Sequence, residues 1–571
     1  MRVTNQMMSN RMMLNVNRNM ARLNILGNQM ATGKRISFPS DDPILAARVL
    51  KFRTSLRETE QWQRNVNQGI SWMESTDAAF VGVREGIAGL RLEFQRAISA
   101  ENRLPERQAI INVINEMKAQ LGSSMNTSYA GRYVFSGFRT NHPPIFETNQ
   151  PDLSFALTQT FRFSDIENTT VVQRINDRVT PKLGVNMLKL AYAGNIENLQ
   201  ITISGTPGWN GTITTFDDPS DHISNEDAYN PGPDDIHFIR ETGQLILGSN
   251  VVEALRNGTM TASYVRNGFS EGELNPMIYF NSFDITNSPV MGNNVTDVAA
   301  ALYAAFPTGH PIRTTDQWTA LENAFGAWAA DPTDEGLRTD FQNEFLSFLK
   351  TPTFTVGGTA DPDISISLTE QRAMGINHFN NRPGDLTDQR LEFEFSFNTR
   401  IPINTLARDV LTDKLHADLR ELIRFINGLE EMLSDPLALA NDIRAQIASG
   451  ALGPMTEEQI QQKVSDQIAA EHSAIDLAMQ NRFNSMLGRI DVHNQGISRQ
   501  DADLGSRMQR LDMIRQRLVY DRLNFRELIS ENEDIEYHEA AAFWAMARVA
   551  HEASLSTGAR ILQLTLADFI R

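Results

Sequence analysis

From Thr456 to about Ser530 nothing in the sequence interrupts a helical pattern except isolated glycines. Roughly 75 residues at about 1.5 Å each make a rod of about 110 Å. A single helix of that length cannot bury its own apolar stripe, so antiparallel neighbours must cover it. Thr456 and Gln459 are spaced as a capping box at its start. Two helical stretches near the other end of the chain are the candidates to cover it, one from Pro43 to about Ala100 and one from Pro105 to about Tyr129. The first begins at GKRISFPSDDP, residues 33–43. There Gly33, Pro39, Ser40 and Pro43 stop any preceding helix. Ser40, Asp41 and Asp42 suit the N-cap, and Pro43 fits the first turn, where its missing N–H costs nothing. ENRLPERQ separates the two stretches.

The chain ends carry shorter stripes. Met13, Val16, Met20, Leu23, Gly27 and Met30 step by three and four, the spacing of a coiled-coil seam. Met7, Met8 and Met12 add flexible apolar side chains that suit an adaptable interface. The last fourteen residues, GARILQLTLADFIR, crowd Ile561, Leu562, Leu564, Leu566, Phe569 and Ile570 into the final turns. Chain ends usually fray and are usually polar. Six large apolar side chains, each gaining roughly 1.5–3 kcal/mol on full burial, cannot be hidden by a short helix against itself. A polar joint, residues 530–536, precedes this helix, and Asp534 is a candidate cap. The N-terminal helix is one partner. A two-helix tip is marginal in water, so further chains are expected as the rest of the cover. The assembly-interface candidates are Val16, Met20, Leu23, Met30, Leu555, Leu562, Leu566 and Phe569.

Between the ends the period changes. FRFSD, LQITISG, TITTF, IHFIR, QLILG, MIYFNSF, ISISL and LEFEFSF read as strands separated by Pro, Gly, Asn and Asp. Stretches at about 294–306 and 315–350 read as helix. The expected fold is therefore mainly α with an inserted β domain: long terminal helices form a coiled-coil and bundle rod, and a β-rich insertion projects from it. Its divisions are 1–42 with 531–571 as a terminal coiled coil, 43–144 with 401–530 as a long-helix bundle, and 145–400 as the insertion, with room for two subdomains. Both chain ends lie at one end of the rod in this reading.

Composition removes several functions. The chain has no cysteine, so disulfides, thiol nucleophiles and thiolate metal sites are out. The ten histidines never fall close enough to grip a metal from one helical face. His538-Glu539 and His551-Glu552 start an H-E-x-x-H pattern that neither completes. There is no phosphate-binding loop, dinucleotide turn or nucleophile elbow, and acidic pairs such as Asp217-Asp218 and Asp234-Asp235 lack calcium-loop spacing. No enzyme activity, cofactor or metal is expected. A net charge of -18 argues against nucleic acid. No run is long enough to span a bilayer, and the first thirty residues lack the apolar core of a cleaved signal. Residues 1–144 balance to +8 and residues 401–571 to -8, so the middle carries the whole excess. Opposite signs at the two ends steer them together more than they stabilise them.

The stretch QMATGKRISFPSDDPILAARVLKFRTSLRE resembles the N-terminal region of flagellins and flagellar hook-associated proteins. GRYVFSG at 131–137, LGRIDVHNQGISRQD at 487–501, ISENEDIEYHEAA and ASLSTGARILQLTLADFI are similar, within that group, to the hook-associated protein 3 family. Flagellins are the near rival; they usually show SSGLRINSAADD where this chain has TGKRISFPSDD, and lack the GRYVFSG hairpin. The resemblance implies a non-catalytic junction adaptor between hook and filament. It implies an extracellular place in the flagellum, reached through the flagellar export apparatus without a cleaved signal peptide. Implied partners are hook-associated protein 1, flagellin, an export chaperone on the C-terminal helix, and further copies of the chain in the lattice. The 145–400 insertion matches nothing in that family. Its acidity and size leave open a displayed binding or enzymatic activity, and an unrelated intracellular coiled-coil protein is a third reading.

Overall fold

The computed structural model describes residues 5–36, 38–99, 104–175, 178–204, 209, 211–218, 222–223, 226–351, 353–379, 389–432, 434–449 and 451–569. Side chains of the last helix are described as far as Arg560. Long helices occupy both ends and a β-rich region the middle, as the patterning predicts. The chain divides into two compact units, one of residues 1–71, 392–402 and 507–571 and one of 72–391 and 403–506. The borders between these units fall inside the helices Pro43–Ser99 and Glu457–Glu533.

The first unit contains the helices Asn5–Thr32 and Tyr537–Phe569, part of each long helix, and the hairpin Glu392–Ser396 with Thr399–Pro402. Pro43 starts its helix because Asp42 caps it: its carboxylate accepts the Ile44 and Leu45 N–H groups at 3.1 and 3.0 Å. Asp41 instead turns back to the Phe38 N–H. The 77-residue helix Glu457–Glu533 starts at the expected capping box. Gln459 accepts from the Thr456 N–H at 2.9 Å and the Thr456 hydroxyl from the Gln459 N–H at 3.3 Å.

In the second unit the helical core follows the heptad. Met73, Thr76, Phe80, Val83, Ile87, Leu90, Phe94 and Ala97 step by three and four and are all buried. On the long helix Phe483, Ile490, Ile497 and Leu504 recur every seventh residue and are buried too. Phe94 meets Phe483 with ring centroids 5.9 Å apart. Arg84–Asp501 and Arg91–Asp491, at 2.7 and 2.8 Å, join N-terminal cations to C-terminal anions as the charge balance suggested. The helix Leu104–Met125 approaches closely where Gly86 leaves room: a Cβ there would sit 3.0 Å from the Leu121 side chain. Phe94→Ala is expected to cost about 3–5 kcal/mol, measured as a lowered denaturation midpoint.

The middle holds two five-stranded sheets. One runs, in spatial order, 167–175, 178–189, 244–247, 236–239 and 213–216. The other runs 377–379, 281–284, 150–162, 259–269 and 196–203. All ladders are antiparallel except 236–239 with 213–216. Periodicity missed Thr259–Phe269 and all but the end of Gln150–Arg162, which mix polar residues into both faces. Three expected strands change. FRFSD ends its strand at Arg162 and turns into a short 3-10 helix, Phe163–Asp165. MIYFNSF begins as the helical turn Pro276–Tyr279, capped by Asn275, before the strand Asn281–Asp284. ISISL is loop up to Ser367, which caps the helix Leu368–Ala373 with Glu370 in a capping box. The expected helix at 315–350 is two, Asp316–Ala330 and Glu335–Lys350, broken by Asp331-Pro332 and restarted by the Asp334 cap. These helices bury Trp318, Trp328, Phe341, Phe345 and Phe348 in one cluster with Ala156, Val265 and Phe283 of the second sheet.

A buried ionic lattice ties strands to helices within this unit. Lys189 lies 2.5 Å from Glu167, 3.1 Å from Asp418 and 3.3 Å from Glu421. Arg482 reaches Glu167 at 3.2 Å and also Glu421, and Arg489 reaches Asp418 at 2.6 Å. Every member except Arg489 is almost fully buried. Burial alone would raise the Glu167 carboxyl, but Lys189, Arg482 and Arg489 hold it down to about 2. Asp418 is likewise held well below the usual carboxylate range, against burial, by Lys189 and by hydrogen bonding to His493. Removing one member leaves an uncompensated buried charge, so Arg482→Met is expected to cost about 3–5 kcal/mol by chemical denaturation. A depressed carboxyl contributes stability above its ordinary pKa and loses it as pH falls through the folded value. Acid titration by near-UV circular dichroism should therefore show tertiary structure lost between pH 4.5 and about 2, a loss that Glu167→Gln makes shallower.

Candidate functional site

The paired terminal helices of the first unit keep many large apolar side chains exposed among the described residues. On the helix Asn5–Thr32 the half-buried positions include Met12, Val16, Asn19, Leu23, Leu26 and Met30, spaced four and three. On Tyr537–Phe569 the covered positions are Ala540, Trp544, Ala547, His551, Ser554 and Gly558, spaced the same way. Large residues of one helix thus face mostly small residues of the other. A Cβ at Gly558 would fall 2.0 Å from Met12 Cε, and one at Gly27 would lie 3.7 Å from Trp544 Nε1. One layer is polar: Asn19 Nδ2 donates to Ser554 Oγ at 2.7 Å. A single such layer penalises every other register, because any slip leaves the amide unpaired.

The two breaks also pair with each other. Lys34 and Asp534 form an antiparallel bridge, flanked by Arg35 N–H to Glu533 O at 2.6 Å and Ile535 N–H to Gly33 O at 3.1 Å. Gly33 takes a positive φ of 68° there, which a side chain would resist. Lys34 Nζ lies 2.6 Å from Asp534 and 3.4 Å from Glu533, and Arg53 lies 2.5 Å from Glu533. The hydrogen bond with Asp534 raises the Lys34 ammonium pKa, and the same bond lowers the carboxyl of Asp534. Asp534 therefore does not cap the last helix: its two oxygens are spent on Lys34 and on the Ser530 hydroxyl, 2.7 Å away. Tyr537, the first residue of that helix, donates its hydroxyl to the Met30 carbonyl at 2.6 Å.

Of the residues singled out in the sequence, Val16, Leu23 and Met30 share the intramolecular seam. Met20 and Leu555 do not; they are 53% and 50% exposed. The side chains of Leu562, Leu566 and Phe569 lie outside the described residues. Spacing by three and four admits two seams that share every seventh residue. Here the structure uses Met12, Asn19 and Leu26 where the apolar count favoured Met13, Met20 and Gly27. Ala540, Ala547 and Ser554, seven apart, went unread because small residues add little to an apolar count, yet their spacing was visible. Outside the seam Met7, Met13, Leu14, Met20 and Ile25 on one helix and Phe543, Met546, Val549 and Leu555 on the other remain exposed. Among the described residues no group of three or more His, Asp or Glu side chains is arranged to hold a metal. No described helix is long and apolar enough to cross a membrane.

Residues 3–140 match the bacterial flagellin N-terminal helical region. The segments QMATGKRISFPSDDP and GRYVFSG both fall inside that match. The chain resembles flagellar hook-associated protein 3. It is 27% identical to that protein from Salmonella typhimurium over 152 residues, 25% of this chain and 46% of the relative. Against the Escherichia coli K12 protein it is 26% identical over 148 residues, 26% of this chain and 47% of the relative. Flagellin 1 of Proteus mirabilis is 25% identical over 199 residues, 34% of this chain and 52% of the relative. The chain spans about half the length of the curated relatives it matches. A crystal structure of Xanthomonas campestris FlgL aligns over 70% of this chain and 99% of its own at 9% identity, with a TM-score of 0.18. That score carries no argument about shared geometry.

Because the chain has no cysteine, the seam is open to a direct test. Asn19→Cys with Ser554→Cys should form an intramolecular disulfide on mild oxidation, seen as a mobility shift on a non-reducing gel. Met20→Cys with Ser554→Cys should not.

Proposed function

We propose that the chain is a non-catalytic flagellar junction adaptor that links hook to filament by self-assembly of its terminal helices. The similarity to flagellar hook-associated protein 3 of Salmonella typhimurium and Escherichia coli carries this reading, and the match of residues 3–140 to the flagellin N-terminal helical region supports it. The paired terminal helices support it, since they keep large apolar side chains exposed outside their own seam. In this reading residues 1–42 and 531–571 form the inner tube, 43–144 and 401–530 the surrounding bundle, and 145–400 the outward-facing insertion. One axial face meets hook-associated protein 1 and the other meets flagellin, with copies of the chain alongside. Met20, Leu555, Leu562, Leu566 and Phe569 serve contacts between chains. The chain is exported without a cleaved signal to an extracellular place, and a chaperone covers the last helix beforehand.

The similarity to Flagellin 1 of Proteus mirabilis favours a second reading, a filament subunit. Deleting the gene separates the two. An adaptor leaves hooks without filaments and flagellin shed into the medium; normal filaments would end the adaptor reading. Immunogold labelling of the chain should mark one band at the hook end, whereas a filament subunit is marked along the whole length.

A further inference from the structure

The second unit contains an open pocket of about 670 Å³ whose lining mixes polar and apolar groups. Its volume lies inside the range of small-molecule sites. One wall is a single face of the helix Leu104–Met125, where Asn115, Lys118 and Gly122 step by three and four and Asn115, Ala119 and Ser123 by four. The opposite wall is made by two loops, 145–147 and 271–272. Those loops are fixed to each other and to the helix end. Phe146 N–H donates to Glu273 O at 2.9 Å, and Gly272 N–H to Phe146 O at 2.8 Å. Asn126 bonds both backbone groups of Ile145, at 2.9 and 3.0 Å. His416 Nε2 lies 3.0 Å from the Gly272 carbonyl. The walls are therefore built before any ligand arrives.

The polar groups left over form two poles. Lys118 makes no hydrogen bond or ion pair among the described residues. Burial lowers its pKa, Arg420 and Arg424 lower it further, and the Glu273 carboxylate opposes them. Arg420 gives its guanidinium to the carbonyls of Leu190 and Ala191, and Arg424 Nη1 is buried without a partner among the described residues. On the other side stand Glu147 and Glu271. The Glu271 carboxylate has no partner among the described residues, and Glu147 uses only Oε1, toward Tyr133 and Asn126. A simple anion would be repelled by the two carboxylates and a simple cation by Lys118. A molecule with one charge of each sign meets both poles.

We propose that this cavity binds a small zwitterion of amino-acid to dipeptide size, its carboxylate held by Lys118 and its ammonium by Glu271 and Glu147. Asn115 and Ser123 are placed along the same helix face for the intervening polar atoms.

Isothermal titration of the full chain with glycylglycine and with glutamate tests this, with acetate and ethylammonium as single-charge probes. Saturable binding of glycylglycine or glutamate is expected, with both single-charge probes weaker by about tenfold or more, as loss of one charged hydrogen bond implies. Lys118→Gln and Glu271→Gln should each weaken the zwitterion by about the same factor while leaving the thermal unfolding midpoint unchanged. Glu271 is exposed, so its variant carries the test even if Lys118→Gln fails to fold. No saturable binding, acetate or ethylammonium binding as well as the dipeptide, or unchanged affinity in Glu271→Gln would each overturn the proposal.

Discussion

A 77-residue helix with an apolar stripe that recurs at least every seventh residue holds together in water only where other helices cover that stripe. Most of the helical architecture follows from this requirement. In the second unit the stripe from Met73 to Ala97 and the heptad from Phe483 to Leu504 meet it with fully buried apolar residues. In the first unit the terminal helices meet it only in part. There one seam is made by setting Met12, Val16 and Leu23 against alanine, serine and glycine. Small residues bring the backbones close but bury little area, so the rest of the apolar surface stays open.

That difference separates a closed core from an apolar surface left open. The long-helix core is closed by packing and by Arg84–Asp501 and Arg91–Asp491 across it. The terminal pair is fixed in register by a bridge at Lys34–Asp534 and one polar layer at Asn19–Ser554. Register is well specified while burial is incomplete. A surface with those two properties suits a subunit that must offer the same face to each neighbour.

The β-rich insertion is held differently. Its strands carry Glu167 and Lys189 to Asp418 and Glu421 on one helix and to Arg482 and Arg489 on another. Three carboxylates and three cations, all but Arg489 almost fully buried, are costly to assemble, and they tolerate few alternative arrangements. The lattice therefore fixes where the insertion meets the helices of its own unit more sharply than an apolar contact of the same size.

By itself the sequence determined the long terminal helices, a cap within Ser40–Asp42 and one at Thr456, and the presence of a strand-rich middle. Those depend on local spacing and on which side chain lies within three residues of a free N–H. It also limited the terminal seam to two choices that share Val16, Leu23 and Met30. Tertiary structure decided which seam is used, because that depends on the small residues of a helix more than 500 positions away. It turned Asp534 from a cap into a bridge partner of Lys34, since an ammonium 2.6 Å away outcompetes the next helix's N–H groups. It also brought together Glu167, Lys189, Asp418, Glu421, Arg482 and Arg489. Each reads as an ordinary surface charge in the sequence, and only burial beside the others makes it part of a lattice.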